Sequence, residues 1–483
     1  MKKKKIIFVV DKIGVLEICS IPLLSALAKK EGCLVELIDF SANPGKASNA
    51  VISSAPDIVC YSICSSEAGR YLEINRILKS KADFFSLFGG PHPTFFPDFI
   101  EEDGVDAICR GEGDISFPLF LKYFGGDEVY NTPNFYFKTD NKIIKNELTV
   151  LVQDLDGLPF PDRDIVYSKS HFMARNPVKT FFAGRGCPFD CSYCFNHSFN
   201  EMYKGKGSIL RVKSVGYLFT EIRAVRERYP LTFIKFHDDI FGADKGWLAE
   251  FAQRYPREIG LPFLNYARPN MVSEDYAASL KKAGCFSVCL AVESGNEKTR
   301  NRILNRGLTN EQIESACAIL NRCGLRIYSL NMIGLPGESE KEISETIEFN
   351  RRIKAAFTDA SILQPYPGTQ INKYCRENGY LGDDTKVFNG QFSTSVLNFE
   401  ADFKERIYIL QKLFSILVAH PSLSPGLRFL YRFKSSRLFK KIIDLIHRCY
   451  YAGNLHRNIY ASKIPLALRL RGSILLLASK NRV

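Results

Sequence analysis

Residues Gly184 to His197 read GRGCPFDCSYCFNH, with cysteines at positions 187, 191 and 194. Three thiols in one short loop cannot all pair, and gaps this short do not close a relaxed disulfide. A metal is the next candidate for them. The loop follows KTFFAG (179–184), whose apolar run predicts a strand, so the thiols sit just past a strand end.

Working outward, strand–helix alternation continues for almost two hundred residues. Further strands are predicted at FIKFHDD (233–239), FLNYAR (263–268), SVCLAVESG (287–295), RIYSLNMIGLPGE (326–338) and DASILQPYPGT (359–369). Helices are predicted between them at Val215–Arg228, Lys245–Glu258, Glu274–Ala283, Glu311–Cys323 and Glu340–Ala356, from apolar residues recurring at helical spacing. Six strands, each but the last followed by a helix, are too few for a closed eight-unit barrel but suit an open (β/α)6 barrel of the same type. Asp238, Asp239, Arg268, Glu293, Ser294, Gly337 and Glu338 all fall at strand ends, the rim where such barrels place chemistry. Asp238 and Asp239 could equally serve as helix N-caps, and Glu293 could be a solvated strand-end acid.

The first 125 residues alternate in the same way. KIIFVV (5–10) is a continuous apolar run, as a strand covered on both faces should be. LVELIDF, DIVCYSI and FFSLFGG are further buried strands, with helices at Ile21–Lys30 and Glu67–Ser80 between them. The expectation is a doubly wound parallel sheet with ligands beyond the carboxyl ends of its strands. The post-strand loops Asp11–Gly14, Ser62–Ser66, Gly89–Pro93 and Arg110–Gly113 could admit a large ligand; plain tight turns are the alternative. Residues 126–175 read as a connector. DLDGLPFPDRD (154–164) carries two prolines, a glycine and four aspartates, so it is not helix interior. The boundaries expected are therefore 1–125, 126–175, 176–395 for the barrel, and a basic helical region at 396–483 to which no catalytic motif attaches.

The chain has 483 residues, 46% hydrophobic and 24% charged, which is ordinary for a folded protein of two or three domains. Most of its fourteen cysteines lie singly in apolar runs (Cys60, Cys64, Cys109, Cys285, Cys289) and read as small buried hydrophobes. The apolar run Ile6–Val10 after MKKKK stops at Asp11 and Lys12, too short for a secretory signal, so a reducing cytoplasmic compartment is expected. Net charge is +13, of which residues 421–483 hold +12: thirteen Lys and Arg against Asp444.

Three thiolates on one loop can hold three irons of a [4Fe–4S] cluster and leave the fourth open. A structural zinc site needs a fourth ligand, and His197 is available. With an aromatic (Phe195) after the last cysteine, Cys-x3-Cys-x2-Cys resembles the radical S-adenosylmethionine enzymes. FHDDIF (236–241), ESG (293–295), GLPGE (334–338) and PYPGT (365–369) resemble that family's later segments in order. The resemblance implies that Cys187, Cys191 and Cys194 bind the cluster. It implies that the open iron takes S-adenosylmethionine and that its reductive cleavage gives a 5′-deoxyadenosyl radical. Tyr193 would approach the adenine, Glu293 and Ser294 the ribose or amino-acid part, and Arg268 the carboxylate. No catalytic residue is assigned.

The segments PLLSALAKKEGCLVELIDF, SICSS, FGGPHPTFFPD and CRGEGD resemble the cobalamin-binding domain fused ahead of many such enzymes. By that resemblance Ser62, Gly89 and Gly90 line a cobalamin. The first loop, DKIGVLEICS, lacks the histidine that free-standing cobalamin domains use as lower cobalt ligand. His92, flanked by prolines in another loop, reads as exposed and not as a ligand. The implied activity is cobalamin-dependent methylation of an unactivated carbon. The alternatives are a cobalamin-independent or non-methylating radical cyclisation or rearrangement, and a zinc-stabilised binding protein with a basic RNA- or membrane-binding tail.

The expected partners are a small-molecule or lipid-like substrate and a reductant such as flavodoxin or ferredoxin. Nucleic acid is not expected, because bulky aliphatics rather than stacking aromatics accompany the tail's charge. LRFLYRFKSSRLFKKIIDLIHRCYY (427–451) reads as a basic helix with an apolar face, lying on the inner face of a membrane. A helical cap packed on the barrel is the alternative.

Overall fold

A computed structural model describes residues 3–41, 43–140, 142–382, 392–462, 464, 465, 468 and 472. The described chain divides into two units, one of residues 1–175 with 198–211, the other of 176–197 with the chain from 212 onward.

The first unit is built on β1 (Lys5–Val10), β2 (Leu34–Asp39), β3 (Ile58–Ser62), β4 (Phe85–Gly89), β5 (Ala107–Cys109), β6 (Phe135–Lys138) and β7 (Ile143–Lys145). They form one sheet in the order β2-β1-β3-β4-β5-β6-β7. The first five are parallel, and β6 and β7 add an antiparallel hairpin at the edge. Residues 126–175 are thus more than a connector, since both hairpin strands come from them. The sheet is doubly wound. Helices α1 (Ser20–Lys30), α2 (Pro44–Ser54), α3 (Ala68–Lys79) and α4 (Ser116–Tyr123) cover both faces. Strand side chains alternate between faces, so Ile7 and Val9 pack beneath α2 and α3 while the ring of Phe8 meets Phe117 of α4 at 6.3 Å.

The second unit holds β8 (Val178–Phe181), β9 (Phe233–Phe236), β10 (Phe263–Ala267), β11 (Cys285–Glu293), β12 (Arg326–Ile333) and β13 (Phe357–Ile362). These are six parallel strands in chain order, the open barrel expected. Helices α5 (Val215–Arg228), α6 (Lys245–Glu258), α7 (Glu274–Ala283), α8 (Asn310–Arg322) and α9 (Glu340–Arg352) lie between strands. Each begins on a side chain that accepts from an orphan amide of its first turn: Ser214, Asp244, Ser273, Thr309 and Ser339. Thr309 with Gln312, and Ser339 with Glu342, form full capping boxes. The cap before α6 is therefore Asp244, not Asp238 or Asp239.

The C-terminal region closes the two weak places of an open barrel. Helix α10 (Ala401–Ala419) lies along β13, which is an edge strand. Gln411 Nε2 donates to Ala360 O at 3.0 Å and Ser415 Oγ to Thr358 O at 2.6 Å, so unpaired edge carbonyls find partners. Helix α11 (Arg437–Asn454) packs on α10 through Ile443. The chain after it then fills the amino-terminal mouth of the barrel: Ile459 is fully buried among Phe233, Leu264, Cys289, Tyr328 and Phe357, with Tyr450, Tyr451, Leu455 and Tyr460 around it. Ser287 Oγ donates to Ile459 O at 2.8 Å. The cap reading thus holds for one side of α11 and for the segment through Tyr460. Of the apolar stretch 463–480, all but residues 464, 465, 468 and 472 lies outside the described residues, Arg469 and Arg471 included. Of the cysteines read as buried hydrophobes, Cys60, Cys109, Cys285 and Cys289 are buried; Cys64, in a post-strand loop, is exposed.

Candidate active site

The cysteine loop starts two residues after β8 and is held from several sides. Asp238, just past β9, accepts from the amides of Gly184 (2.5 Å) and Ala183 (3.2 Å). That is why an aspartate stands there: it fixes the entry to the loop and caps no helix. The segment Ile303–Arg306 straps the far side. Ser192 Oγ donates to Ile303 O at 2.6 Å, Ser192 N to Leu304 O at 3.1 Å, and Asn305 Nδ2 to Asp190 O at 2.7 Å. Cys191 is buried by this packing, and Cys187 and Cys194 are partly exposed.

Two buried guanidiniums converge on Cys191: Arg306 Nη1 lies 3.5 Å and Arg268 Nη1 3.7 Å from its Sγ. Arg268 also stacks on Phe189, 3.9 Å from the ring centroid, and donates through Nη2 to Arg306 O. Burial pushes the Cys194 thiol up to about 12 and raises Cys187 as well. Thiolates in this loop therefore need positive charge beside them, which a metal centre and the two arginines would supply.

Glu293 ends β11 and is buried facing the same loop. It accepts from Tyr193 Oη at 2.7 Å, and Arg306 Nη1 donates to that same phenol oxygen at 3.0 Å. A bulge between Ala291 and Glu293 turns the side chain, and Glu293 adopts φ 68°, rare for a residue with a Cβ. Strain of that kind costs about 1–3 kcal/mol and gathers at functional sites. Burial raises the Glu293 carboxyl, opposed by Arg306 and by the Tyr193 hydrogen bond.

Ser294 is turned into its own loop. Its Oγ accepts from Asn296 N at 3.2 Å, and its carbonyl accepts from the fully buried Arg300 at 2.7 Å. Gly295 follows because a Cβ there would lie 2.7 Å from the α9 backbone at Glu345 and Thr346.

At the ends of β12 and β13, Glu338 Oε1 and Gln364 Oε1 are buried with no hydrogen-bond partner among the described residues, as are the Nε atoms of Arg268 and Arg306. Buried polar atoms are normally paired, so orphans at the carboxyl rim mark where a polar ligand would be received. Arg306, Arg300 and Gln364 escaped the sequence reading. Arg306 lies in NRILNRGLT (301–309), which carries no motif, and only the fold brings it to Cys191.

Glu338 gives a pH prediction. Burial pushes its carboxyl from 4.5 up to about 8, against the amides of Gly334 (2.6 Å) and Leu335 (3.1 Å), which pull it down. Between those values the folded chain keeps a proton that the unfolded chain releases. The stability tied to this group is therefore complete below the unfolded value and is lost as pH rises toward about 8. The slope is on the order of 1.4 kcal/mol per pH unit. Denaturant unfolding of the metal-free chain across that window should show the decline, and Glu338→Gln should flatten it; an unchanged slope would clear Glu338 of the role.

His197, the fourth ligand a zinc site would need, is otherwise engaged. Its Nδ1 lies 3.3 Å from Asp190 Oδ1 and its Nε2 2.8 Å from Gln370 Nε2. Among the described residues no three His, Cys, Asp or Glu side chains close on a site for a single ion. Three thiols beside two arginines and several orphaned polar atoms fit a cluster with one open iron and a polar ligand on it.

In the first unit, Ser62 and Gly89 sit side by side at the ends of β3 and β4. Gly90 follows at φ 93°, where a Cβ would lie 2.8 Å from Ile63 N; this glycine is demanded by packing between the two loops. Ser62 Oγ lies 3.2 Å from Ser20 Oγ. His92 is half-buried, not exposed as expected. Its Nδ1 pairs with Ser65 Oγ at 3.0 Å, its ring stacks on Phe96, and burial lowers its pKa to about 4. It is occupied where it stands, so the strand-end loops fit a cobalamin that receives no imidazole from the first loop or from His92.

A doubly wound domain joined to an open six-stranded barrel, with three thiols past the first barrel strand, defines a class of cobalamin-associated radical enzyme. The profile of the Radical SAM superfamily matches residues 182–349 and that of the B12 binding domain residues 17–121. The chain belongs to the radical S-adenosylmethionine enzymes that carry an amino-terminal B12 binding domain. An uncharacterized methyltransferase of Pyrococcus horikoshii is 26% identical over 332 residues, 68% of this chain and 71% of the relative. The cytidylyl-2-hydroxyethylphosphonate methyltransferase of Streptomyces wedmorensis is 22% identical over 360 residues, 65% of each chain. The chain thus spans roughly two thirds of these relatives' length. The structure of the cobalamin-dependent S-adenosylmethionine radical enzyme OxsB, with aqua-cobalamin and S-adenosylmethionine bound, shares the fold. Its TM-score is 0.68 at 14% identity, over 99% of this chain and 79% of that one. Enzymes of this class take a small-molecule substrate and an external reductant.

Proposed function

We propose that this chain is a cobalamin-dependent radical S-adenosylmethionine methyltransferase acting on an unactivated carbon. The observation that carries the reading is the three-thiol loop, backed by Arg268, Arg306 and Glu293, in a chain that also bears a B12 binding domain. The relatives named as methyltransferases support the reaction type. Cys187, Cys191 and Cys194 would hold the [4Fe–4S] cluster, and Ser62, Gly89 and Gly90 would line the cobalamin. When bound, the cluster and S-adenosylmethionine supply a 5′-deoxyadenosyl radical and the cobalamin a transferable methyl group.

The chain's own part is to bind, orient and shield. Arg306 and Arg268 set positive charge beside Cys191 Sγ. Glu293, locked by Tyr193 and the bulge, offers a fixed acceptor to the ribose or amino group of S-adenosylmethionine. Arg268 offers its guanidinium to the carboxylate, and the Tyr193 ring is set beside the adenine. Ser294 holds the turn that carries Glu293. The reductant is a small electron carrier such as flavodoxin or ferredoxin. We also place the protein in the cytoplasm, peripheral on the inner face of the membrane, on the charge of residues 421–483. Among the described residues no helix is long and apolar enough to cross a membrane.

The cobalamin part has a direct test. Anaerobic protein given hydroxocobalamin should retain roughly one equivalent through gel filtration, and the cobalt(II) form should show no nitrogen superhyperfine splitting, because the first loop has no histidine and His92 is paired with Ser65. A clear nitrogen signal would mean a protein imidazole does bind. No retention would return the first domain to a vestigial role.

A further inference from the structure

Seven of the thirteen large apolar side chains exposed among the described residues fall between Leu423 and Ile446. On α11, Leu438, Ile442 and Leu445 follow at helical spacing with Cys449, so they share one face, with Ile446 at its margin. That face is open: Leu438 is 68% exposed, whereas Ile443, on the side packed against α10, is 3% exposed. The aromatic edge continues it, since Phe429 meets Phe433 at 5.4 Å and Phe433 meets Phe439 at 5.8 Å. A monomer does not normally leave so concentrated an apolar surface in water.

The charge around this face says what covers it. Lys434, Lys440 and Arg448 are committed to Asp402, Glu405 and Asp444. Arg428, Arg432, Arg437 and Lys441 are exposed and have no carboxylate partner among the described residues. Arg437 and Lys441 flank the apolar stripe of α11, and Arg432 lies over the ring of Phe429. An apolar stripe edged by unpaired cations matches the acyl and headgroup layers of an anionic bilayer. A protein partner would need acids placed to match, and a second copy would set these cations against one another.

We propose that the exposed face of α11, with Phe429 and Phe433, seats the protein on an anionic lipid surface. The other face of α11 stays packed on α10, so the helix docks while remaining part of the fold. This rests on the proposed peripheral location and names the surface responsible. Its consequence is a substrate class: a lipid or lipid-linked molecule is within reach of an enzyme so seated.

The test uses full-length protein and vesicles of phosphatidylcholine alone or in equal parts with phosphatidylglycerol. Wild type should float with the anionic vesicles at low salt, not with phosphatidylcholine alone, and lose binding at high salt. Leu438→Ser/Ile442→Ser/Leu445→Ser, and separately Arg437→Gln/Lys441→Gln, should each lower partition by roughly tenfold or more. Both variants should keep the wild-type melting temperature, iron content and cleavage of S-adenosylmethionine, since the changed side chains are on the surface. Flotation unchanged in the triple variant, or absent in wild type, overturns the proposal. So does a wild-type dimer in sedimentation velocity that the triple variant dissolves, because the occupant would then be a second copy. Lost cleavage with intact flotation would count against the enzymatic reading and leave this surface standing.

Discussion

Replacing Cys187, Cys191 and Cys194 together with alanine should leave a protein that assembles no cluster and cleaves no S-adenosylmethionine. Wild type, reconstituted anaerobically, should hold about four irons and four sulfides per chain. The loss should be complete, because no other thiol is placed to substitute: Cys285, Cys289 and Cys317 are buried in apolar packing. Of the three positions, Cys191 also matters to the protein without metal. Its sulfur is an acceptor for Arg268 and Arg306, and removing an acceptor from a buried charged donor costs about 1–3 kcal/mol or more. Cys191→Ala alone should therefore lower the melting temperature of the metal-free chain more than Cys187→Ala, whose thiol is partly exposed. Cleavage surviving in the triple variant would show that these thiols are not the ligands. Zinc without iron after anaerobic purification would favour a binding module.

A chain ended after His420 should fail to fold its barrel. Such a truncation looks like the removal of a basic tail, but it takes away Ile443, which packs on α10, and Tyr450, Tyr451, Leu455, Ile459 and Tyr460, which fill the barrel mouth. Losing one large buried aliphatic or aromatic side chain costs about 2–5 kcal/mol. Ile443 and Ile459 are buried and the other four partly so, and their joint loss is comparable with the roughly 5–15 kcal/mol that holds a domain folded. Lys412 would also lose its ion-pair partner Asp444, now at 3.2 Å. The check is soluble yield and circular dichroism of the truncated chain against one ended after Ser462. A stable, cooperative truncated protein would mean the mouth can close without this segment.

Sequence by itself determined whatever depends on near neighbours. Three cysteines at spacings of four and three make a candidate metal loop wherever the rest of the chain goes. Helical periodicity placed α5, α6 and α7 at their observed ends, because an amphipathic stripe is local; the structure adds the caps Ser214, Asp244 and Ser273. The order of the barrel strands was legible too, since parallel strands joined by helices run side by side in chain order. The first sheet's edge was missed: β6 and β7 are short and half-exposed, and only pairing with β5 makes them strands.

Tertiary structure decided which residues meet. Arg306 reaches Cys191 across 115 residues, Glu293 reaches Tyr193 across 100, and Ile459 reaches Ser287 across 172. No spacing rule spans such distances, because the energy that fixes them is burial and charge pairing in a site that exists only once the strands are side by side. The same holds for Asp238, whose sequence context allowed a cap or a site residue and whose folded context made it the clamp on Gly184. It holds for α11, where sequence showed an amphipathic basic helix but not how much of its apolar surface the barrel would use. The fold buries Ile443 and leaves Leu438, Ile442 and Leu445 in the open, because α10 offers one side for packing and a helix has more than one.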